Sequence, residues 1–147
     1  MRTRLLAFAA LAAALLTGLV LAGVAGAKGA NKLEAQLRGA NEKPAAPASN
    51  RGRVEITLKP AVGKVCWEFY ITKVDGKGNA AHIHKGAPGA AGPVFIPLGT
   101  KFKREGCTSA KKSQINAVAA KPGAFYVNVH NAKHPAGAMR GQLKVEG

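Results

Sequence analysis

Apolar and polar residues alternate one by one along most of this chain. The clearest run is residues 64–74, in which Val65, Trp67 and Phe69 fall on one side of an extended chain. Successive side chains of a β-strand point to opposite faces, so this run predicts a strand with one buried face. Shorter runs of the same kind occur at residues 33–38, 53–58, 80–85, 94–96, 124–130 and 139–145, and a polar run at 101–108 predicts an edge strand.

Turn-forming residues separate these runs. Clusters that include Gly, Pro, Asn or Asp stand at residues 39–50, 75–79, 86–93 and 131–138, where such residues favour turns and loops. Only residues 109–120 show near-helical spacing, which predicts at most one short helix. We therefore predict an all-β chain: an antiparallel Greek-key sandwich or barrel of seven to eight strands, immunoglobulin-like or superoxide-dismutase-like.

The first 27 residues differ from the rest in composition. Arg2 and Arg4 precede an uncharged run rich in Ala and Leu from residue 5 to 24, and small residues follow at 25–27. This order predicts a secretory signal peptide at residues 1–27 and one domain at residues 28–147. The protein is then expected outside the cytoplasm: extracellular, in the cell wall or in the periplasm. An uncleaved segment, long enough to cross a bilayer, is the alternative and the one route by which we expect membrane attachment.

The chain is strongly basic, with a formal net charge of +15. Such a balance favours an anionic surface polymer as partner, and an extracellular protein is the other partner that we expect. No nucleic acid is expected, because export separates the protein from it and the basic residues are scattered along the chain. The alternative is a solvated basic surface that keeps the protein soluble.

Cys66 and Cys107 are the two cysteines of the chain. An even count in an exported protein predicts a disulfide bond, and the alternative is a pair of buried free thiols.

The candidate chemistry lies in two polar segments. His82 and His84 alternate with Ile83 and so share one face of the predicted strand. If the apolar face of each strand is inward, six polar side chains point outward: His82, His84, Asn128, His130, Arg140 and Gln142. A short loop joins the last two strands, which predicts that they are neighbours. If the His82 strand lies beside either of them, three histidines and an arginine converge.

Three interpretations of this cluster stay open. It is a structural polar cluster, a binding surface for an external partner, or a metal site in which His82, His84 and His130 hold one copper or zinc ion. No catalytic residues are assigned, because the chain has no Gly-x-Ser-x-Gly motif and no evident carboxylate pair. We therefore favour a non-enzymatic binding or structural module, with a mononuclear copper or zinc metalloprotein as the alternative.

Five motifs in order resemble the chordin-type (CHRD) domain over residues 33–145. They are Leu37-x-Gly39-x-x-Glu42-x-Pro44, Ala81-His82-Ile83-His84-x-Gly86, Gly92-Pro93-Val94, Tyr126-Val127-Asn128-Val129-His130 and His134-Pro135-x-Gly137-x-Met139-Arg140-Gly141-Gln142-Leu143. The resemblance implies an all-β domain of the kind found in extracellular animal regulators of growth-factor signalling and in exported microbial proteins. A single domain behind a signal sequence is similar to the microbial kind. No catalytic mechanism comes with the resemblance.

A second resemblance is to copper/zinc superoxide dismutases. These are secreted barrels with a strand-borne H-x-H, a later Val-His, a downstream arginine and one disulfide. His82, His84, His130, Arg140 and the two cysteines occur here in a comparable order. No histidine or aspartate lies between Gly86 and Cys107 to hold a second metal. The resemblance therefore implies a single copper bound by three histidines, with Arg140 steering an anion.

Overall fold

The structure, a computed structural model, describes residues 31–147. The predicted signal peptide at residues 1–27 lies outside the described residues. Within the described range, no helix is long and apolar enough to span a bilayer.

The described chain is built almost entirely of short strands. The strands are β1 (Lys32–Arg38), β2 (Arg51–Lys59), β3 (Lys64–Lys73), β4 (Gly78–Lys85), β5 (Val94–Pro97), β6 (Glu105–Ser109), β7 (Phe125–Asn131), β8 (Met139–Gln142) and β9 (Lys144–Val145). One α-helix, α1 (Lys112–Ala120), lies between β6 and β7. Three single turns of 3-10 helix are at Gly39–Asn41, Pro60–Val62 and Pro122–Ala124.

The strands form one antiparallel sheet that curls into a nearly closed barrel. Their order across the sheet is β5-β4-β7-β8-β1-β2-β3-β6, and β9 also pairs with β1. The predicted all-β antiparallel fold with one short helix is confirmed. The order brings β4 beside β7 and β8 beside β1, so segments far apart in the sequence become neighbours. This topology assembles the candidate site.

The core follows from the alternation along the strands. Leu33, Ala35 and Leu37 on β1 are fully buried, while the residues between them face outward. Trp67 is 5% exposed, and its indole N–H donates to the Lys103 carbonyl at 3.0 Å, so its one polar atom is satisfied. Burying a large apolar side chain stabilises the fold by roughly 1.5–3 kcal/mol. The inward residues of every long strand therefore fix which side chains face outward.

The predicted disulfide between Cys66 and Cys107 is confirmed. The two residues stand directly opposite each other on β3 and β6. They are 41 residues apart in the sequence, and closing a loop of that size stabilises by about 4 kcal/mol in the chain-entropy view. The bond ties the edge strand β6 to the sheet.

Candidate functional site

Three histidines meet on the outer face of β4 and β7. In the register of these strands, His82 stands opposite Asn128, His84 opposite Tyr126, and His130 opposite Ala80. Each histidine offers one ring nitrogen to a group whose atoms all lie within 4.8 Å of one another. The predicted convergence of the histidines required the His82 strand to lie beside one of the last two strands. The structure places β4 beside β7, so the convergence is present.

His84 is held at one ring nitrogen and free at the other. Its Nδ1 lies 2.8 Å from the carbonyl oxygen of Gly92, and its ring stacks on Tyr126 with centroids 4.9 Å apart. The loop carrying Gly92 packs so close that a Cβ there would lie 1.8 Å from the Lys85 carbonyl oxygen. His84 is 7% exposed, and its Nε2 has no hydrogen-bond partner among the described residues. The loop thus fixes the ring and leaves Nε2 with a free lone pair.

His130 is anchored in the same way. Its Nδ1 lies 2.9 Å from the Pro135 carbonyl oxygen, which can only accept, so Nδ1 carries the proton. His130 Nε2 therefore holds a lone pair, and it lies 3.1 Å from His82 Nδ1. In this arrangement His82 Nδ1–H donates to His130 Nε2. A shift of that proton to His82 Nε2 would free a third lone pair.

The electrostatics of the cluster favour neutral rings. Burial, with smaller contributions from the neighbouring His130 and His84 rings, lowers the pKa of His82 to about 4. Burial also lowers the pKa of His84, and the Gly92 carbonyl and the Asn128 side chain beside the ring offset part of that shift. Neutral imidazole is the form that binds metal ions. At neutral pH these two rings are therefore already in the form that a metal ion requires.

The donor set fits a borderline metal ion. Among residues 31–147, the cluster contains three imidazoles and no carboxylate or thiolate, a set that suits copper, zinc or nickel rather than calcium or magnesium. Metal–imidazole bonds of about 2.0–2.1 Å around a tetrahedral ion place ligand nitrogens about 3.4 Å apart, so binding would draw the most distant pair of ring nitrogens together by roughly 1.5 Å at most. Two of the three rings already donate their other N–H to a backbone carbonyl, which is the usual orientation device for metal-binding histidines.

Asn128 and Gln142 lie beside the cluster in different roles. Asn128 is 2% exposed between His82 and Arg140 in register, and its Oδ1 has no partner within the described chain. Gln142 donates from Nε2 to the carbonyl oxygens of Gly86 and Gly123 at 2.8 and 2.7 Å. Gln142 therefore holds two loops together, whereas Asn128 contributes a buried polar atom next to the histidines.

Arg140 forms hydrogen bonds with the surrounding loops. Its Nε donates to the Asn41 carbonyl at 2.5 Å, its Nη1 donates to the Ala90 carbonyl at 2.9 Å, and its guanidinium lies 4.7 Å from the centre of the Tyr126 ring. Arg140 is 4% exposed. A charge so deeply buried is poorly placed to steer an anion from solvent, so the placement does not support that expected role.

Glu42 is the buried group that sequence reasoning did not single out. It is 2% exposed, and its Oε2 lies 3.8 Å from Arg140 Nε. Gly137, at φ +151°, leaves room for it, because a Cβ there would lie 2.4 Å from the Glu42 carboxylate. Burial raises the pKa of Glu42 to about 7, and Arg140 limits the rise. The only sequence signal was its place in the Leu37-x-Gly39-x-x-Glu42 motif.

One comparison with known proteins gives a match. The family model described as the CHRD domain matches residues 33–143, which is most of the chain and nearly all of the described part. Comparisons with curated proteins and with solved structures gave no match.

Proposed function

The chain belongs to the CHRD domain family, and we propose that it is an exported, non-enzymatic member whose His82, His84 and His130 bind one copper or zinc ion. The observation that carries the proposal is the state of His84. Its Nδ1 is anchored on the Gly92 carbonyl, while its buried Nε2 has no partner within the described chain. His130 Nδ1 is anchored in the same way, and its Nε2, which accepts from His82, becomes available to a metal ion when the His82 proton moves to His82 Nε2.

A purely structural role leaves His84 Nε2 buried and without a partner in the described chain. Leaving a buried polar atom unpaired costs about 1–3 kcal/mol, and a bound metal ion would remove that cost at His84. Copper and zinc are favoured over other divalent ions because a site of neutral imidazoles binds them most strongly. A histidine-only site with two half-buried rings would leave the metal within reach of solvent.

Two features support a location outside the cytoplasm. The disulfide between Cys66 and Cys107 persists in an oxidising compartment, and residues 1–27 have the composition of a signal peptide. The family resemblance agrees with an exported microbial protein of this kind. We expect its partner to be an extracellular protein or an anionic surface polymer.

The test is elemental analysis of the purified protein, followed by calorimetric titration with Cu(II) and with Zn(II) at pH 7. We expect one tight equivalent, weakened at least 100-fold by His84→Ala. His134→Ala is the matched control, because His134 lies outside the cluster and its Nε2 is 3.6 Å from Asp75 Oδ2. The proposal is wrong if the parent binds no metal more tightly than a surface histidine does, or if the two variants behave alike.

A further inference from the structure

The outer face of β1, β2, β3 and β6 carries its acids in one row. Four glutamates stand directly opposite one another across these neighbouring strands: Glu34, Glu55, Glu68 and Glu105. The whole sequence has seven acidic residues, so most of the negative charge of a strongly basic protein lies along this line. Like charges placed directly opposite each other on a sheet are destabilising. Lys144 offsets Glu34 at 2.7 Å and Arg53 offsets Glu55, whereas Glu68 and Glu105 form no salt bridge within the described chain.

A cationic group lies on the same face, four residues along β1 and β2 from the acidic row. Arg38 on β1 stands directly opposite Arg51 on β2, and both are exposed. Neither forms a salt bridge with any residue of the described chain. Lys73 on β3 is opposite Arg51 in register, which adds a third positive charge nearby. Repulsion among these cations is therefore not relieved within the described chain.

These arginines line a shallow cavity of about 360 Å³. Its polar side chains are Arg38, Arg51, Arg53, Gln36, Thr72 and Tyr70, and no acidic residue of the described chain lines it. Arg53 is held in position because its guanidinium contacts Glu55 and lies 4.2 Å from the centre of the Tyr70 ring. Every one of these side chains can donate a hydrogen bond to an oxyanion, and arginine binds such groups with two parallel donors.

We propose that this arginine cavity (Arg38, Arg51 and Arg53) binds the phosphate or sulfate groups of a linear polyanion. Several guanidinium groups side by side suit more than one anionic group, since neighbouring strands are about 4.8 Å apart. The acidic row repels the same ligand and so confines it to a path across the strands on the cationic side. This site is separate from the histidine cluster, and it does not depend on metal binding.

The test measures binding of inorganic polyphosphate and of dextran sulfate to the purified protein at fixed salt, with inorganic phosphate as the monomeric reference. The variant is Arg38→Gln/Arg51→Gln. The control is Lys101→Gln/Lys103→Gln, which removes the same charge from exposed lysines elsewhere. We expect at least one polymer to bind far more tightly than inorganic phosphate. Binding should weaken at least tenfold in the arginine variant and no more than about twofold in the control. The polymer that binds more tightly identifies the source of the oxyanion.

Stability gives a second readout. Because the arginine pair is repulsive, we expect the arginine variant to melt at the parental temperature or slightly above it. Arg51→Lys keeps the charge but removes the paired donors, so it should weaken polymer binding several-fold with an unchanged Tm. If the double variant fails to fold, Arg51→Lys alone tests whether the arginine donors bind the polymer. Equal weakening by the two double variants, or parental binding by Arg51→Lys, would overturn the proposal. His84→Ala should bind the polymers as the parent does, which separates this site from the metal site.

Discussion

The histidine cluster and the Glu42–Arg140 pair are two buried polar groups on the outside of the same barrel, and Tyr126 contacts both. His84 stacks on the Tyr126 ring, and the Arg140 guanidinium lies over it. In the pair, Arg140 donates to two loop carbonyls and faces an acid. In the cluster, His84 Nε2 has no partner within the described chain, while His130 Nε2 accepts from His82. Glu42 Oε1 and Arg140 Nη2 also lack partners there, so an unpaired buried atom alone does not mark a binding site; the histidines differ in that their ring nitrogens converge within 4.8 Å.

The largest effect is expected from breaking the pair. Arg140→Ala should destabilise the protein by about 3–5 kcal/mol, because it removes two hydrogen bonds from a charged guanidinium to loop carbonyls, each worth about 1.5–3 kcal/mol. Thermal unfolding should show a Tm lower by on the order of 15 °C. Arg38→Ala is the matched control: Arg38 stands opposite Arg140 in register but is exposed, so its loss should change stability by no more than about 0.5 kcal/mol. Equal effects of the two changes would show that Arg140 does not hold the loops.

The next prediction concerns pH and isolates Glu42. The pKa of this carboxyl is about 7 in the folded protein and 4.5 in the unfolded chain, mainly because of burial. Between those values the folded state keeps a proton that the unfolded chain has lost. The contribution of Glu42 to stability is therefore complete below pH 4.5 and declines as the pH rises to about 7.

Glu42→Gln removes this titration. Relative to the parent, the variant should gain up to about 3 kcal/mol between pH 4.5 and pH 8, since one pKa unit corresponds to about 1.4 kcal/mol. Urea unfolding of both proteins at the two pH values measures the difference, from which pH effects common to the two proteins cancel. Glu105→Gln, an exposed acid, should show no such trend. A parent–variant difference that stays constant with pH would show that folding does not raise the pKa of Glu42.

A third prediction tests the cluster through stability. If three histidines bind the metal only in the folded state, Zn(II) at 100 times its Kd should stabilise the protein by about 2.7 kcal/mol. The Tm should then rise by on the order of 10 °C. His130→Ala should lose this rise while its metal-free Tm stays within a few degrees of the parent. A metal-induced rise that survives in His130→Ala would place the ion elsewhere.

The sequence predicted the fold and the outward direction of the cluster for a simple reason. Strict alternation fixes which face each side chain takes, so Ile83 inward implies His82 and His84 outward. Alternation says nothing about which strands pair. The meeting of His82 with His130 therefore depended on β4 lying beside β7, which only the assembled sheet decides. The opposition of Arg38 and Arg51 was unforeseen for the same reason.

Loop residues account for the rest. The carbonyl groups of Gly92 and Pro135 anchor two of the histidines, but a backbone carbonyl leaves no signature in side-chain chemistry. Glu42 was not selected because a charged residue in a proline-containing loop is expected to be exposed. Its burial depends on the distant Gly137 and Arg140, whose approach no local pattern predicts.

The smallest effect, and the sharpest link between the two regions, is expected at Tyr126. Its hydroxyl accepts a hydrogen bond from the Gly92 N–H at 3.1 Å, and the Gly92 carbonyl in turn anchors His84. Tyr126→Phe keeps the ring that stacks on His84 but leaves the Gly92 N–H without this acceptor, which should cost about 1 kcal/mol. Because the carbonyl then orients His84 less firmly, Zn(II) affinity should fall several-fold, less than for loss of a ligand.

Tyr70→Phe, a more exposed tyrosine on the other side of the barrel, is the control and should change neither quantity. Calorimetry and thermal unfolding of the two variants measure both effects. A Tyr126→Phe protein with parental metal affinity would show that the stacked ring alone positions His84.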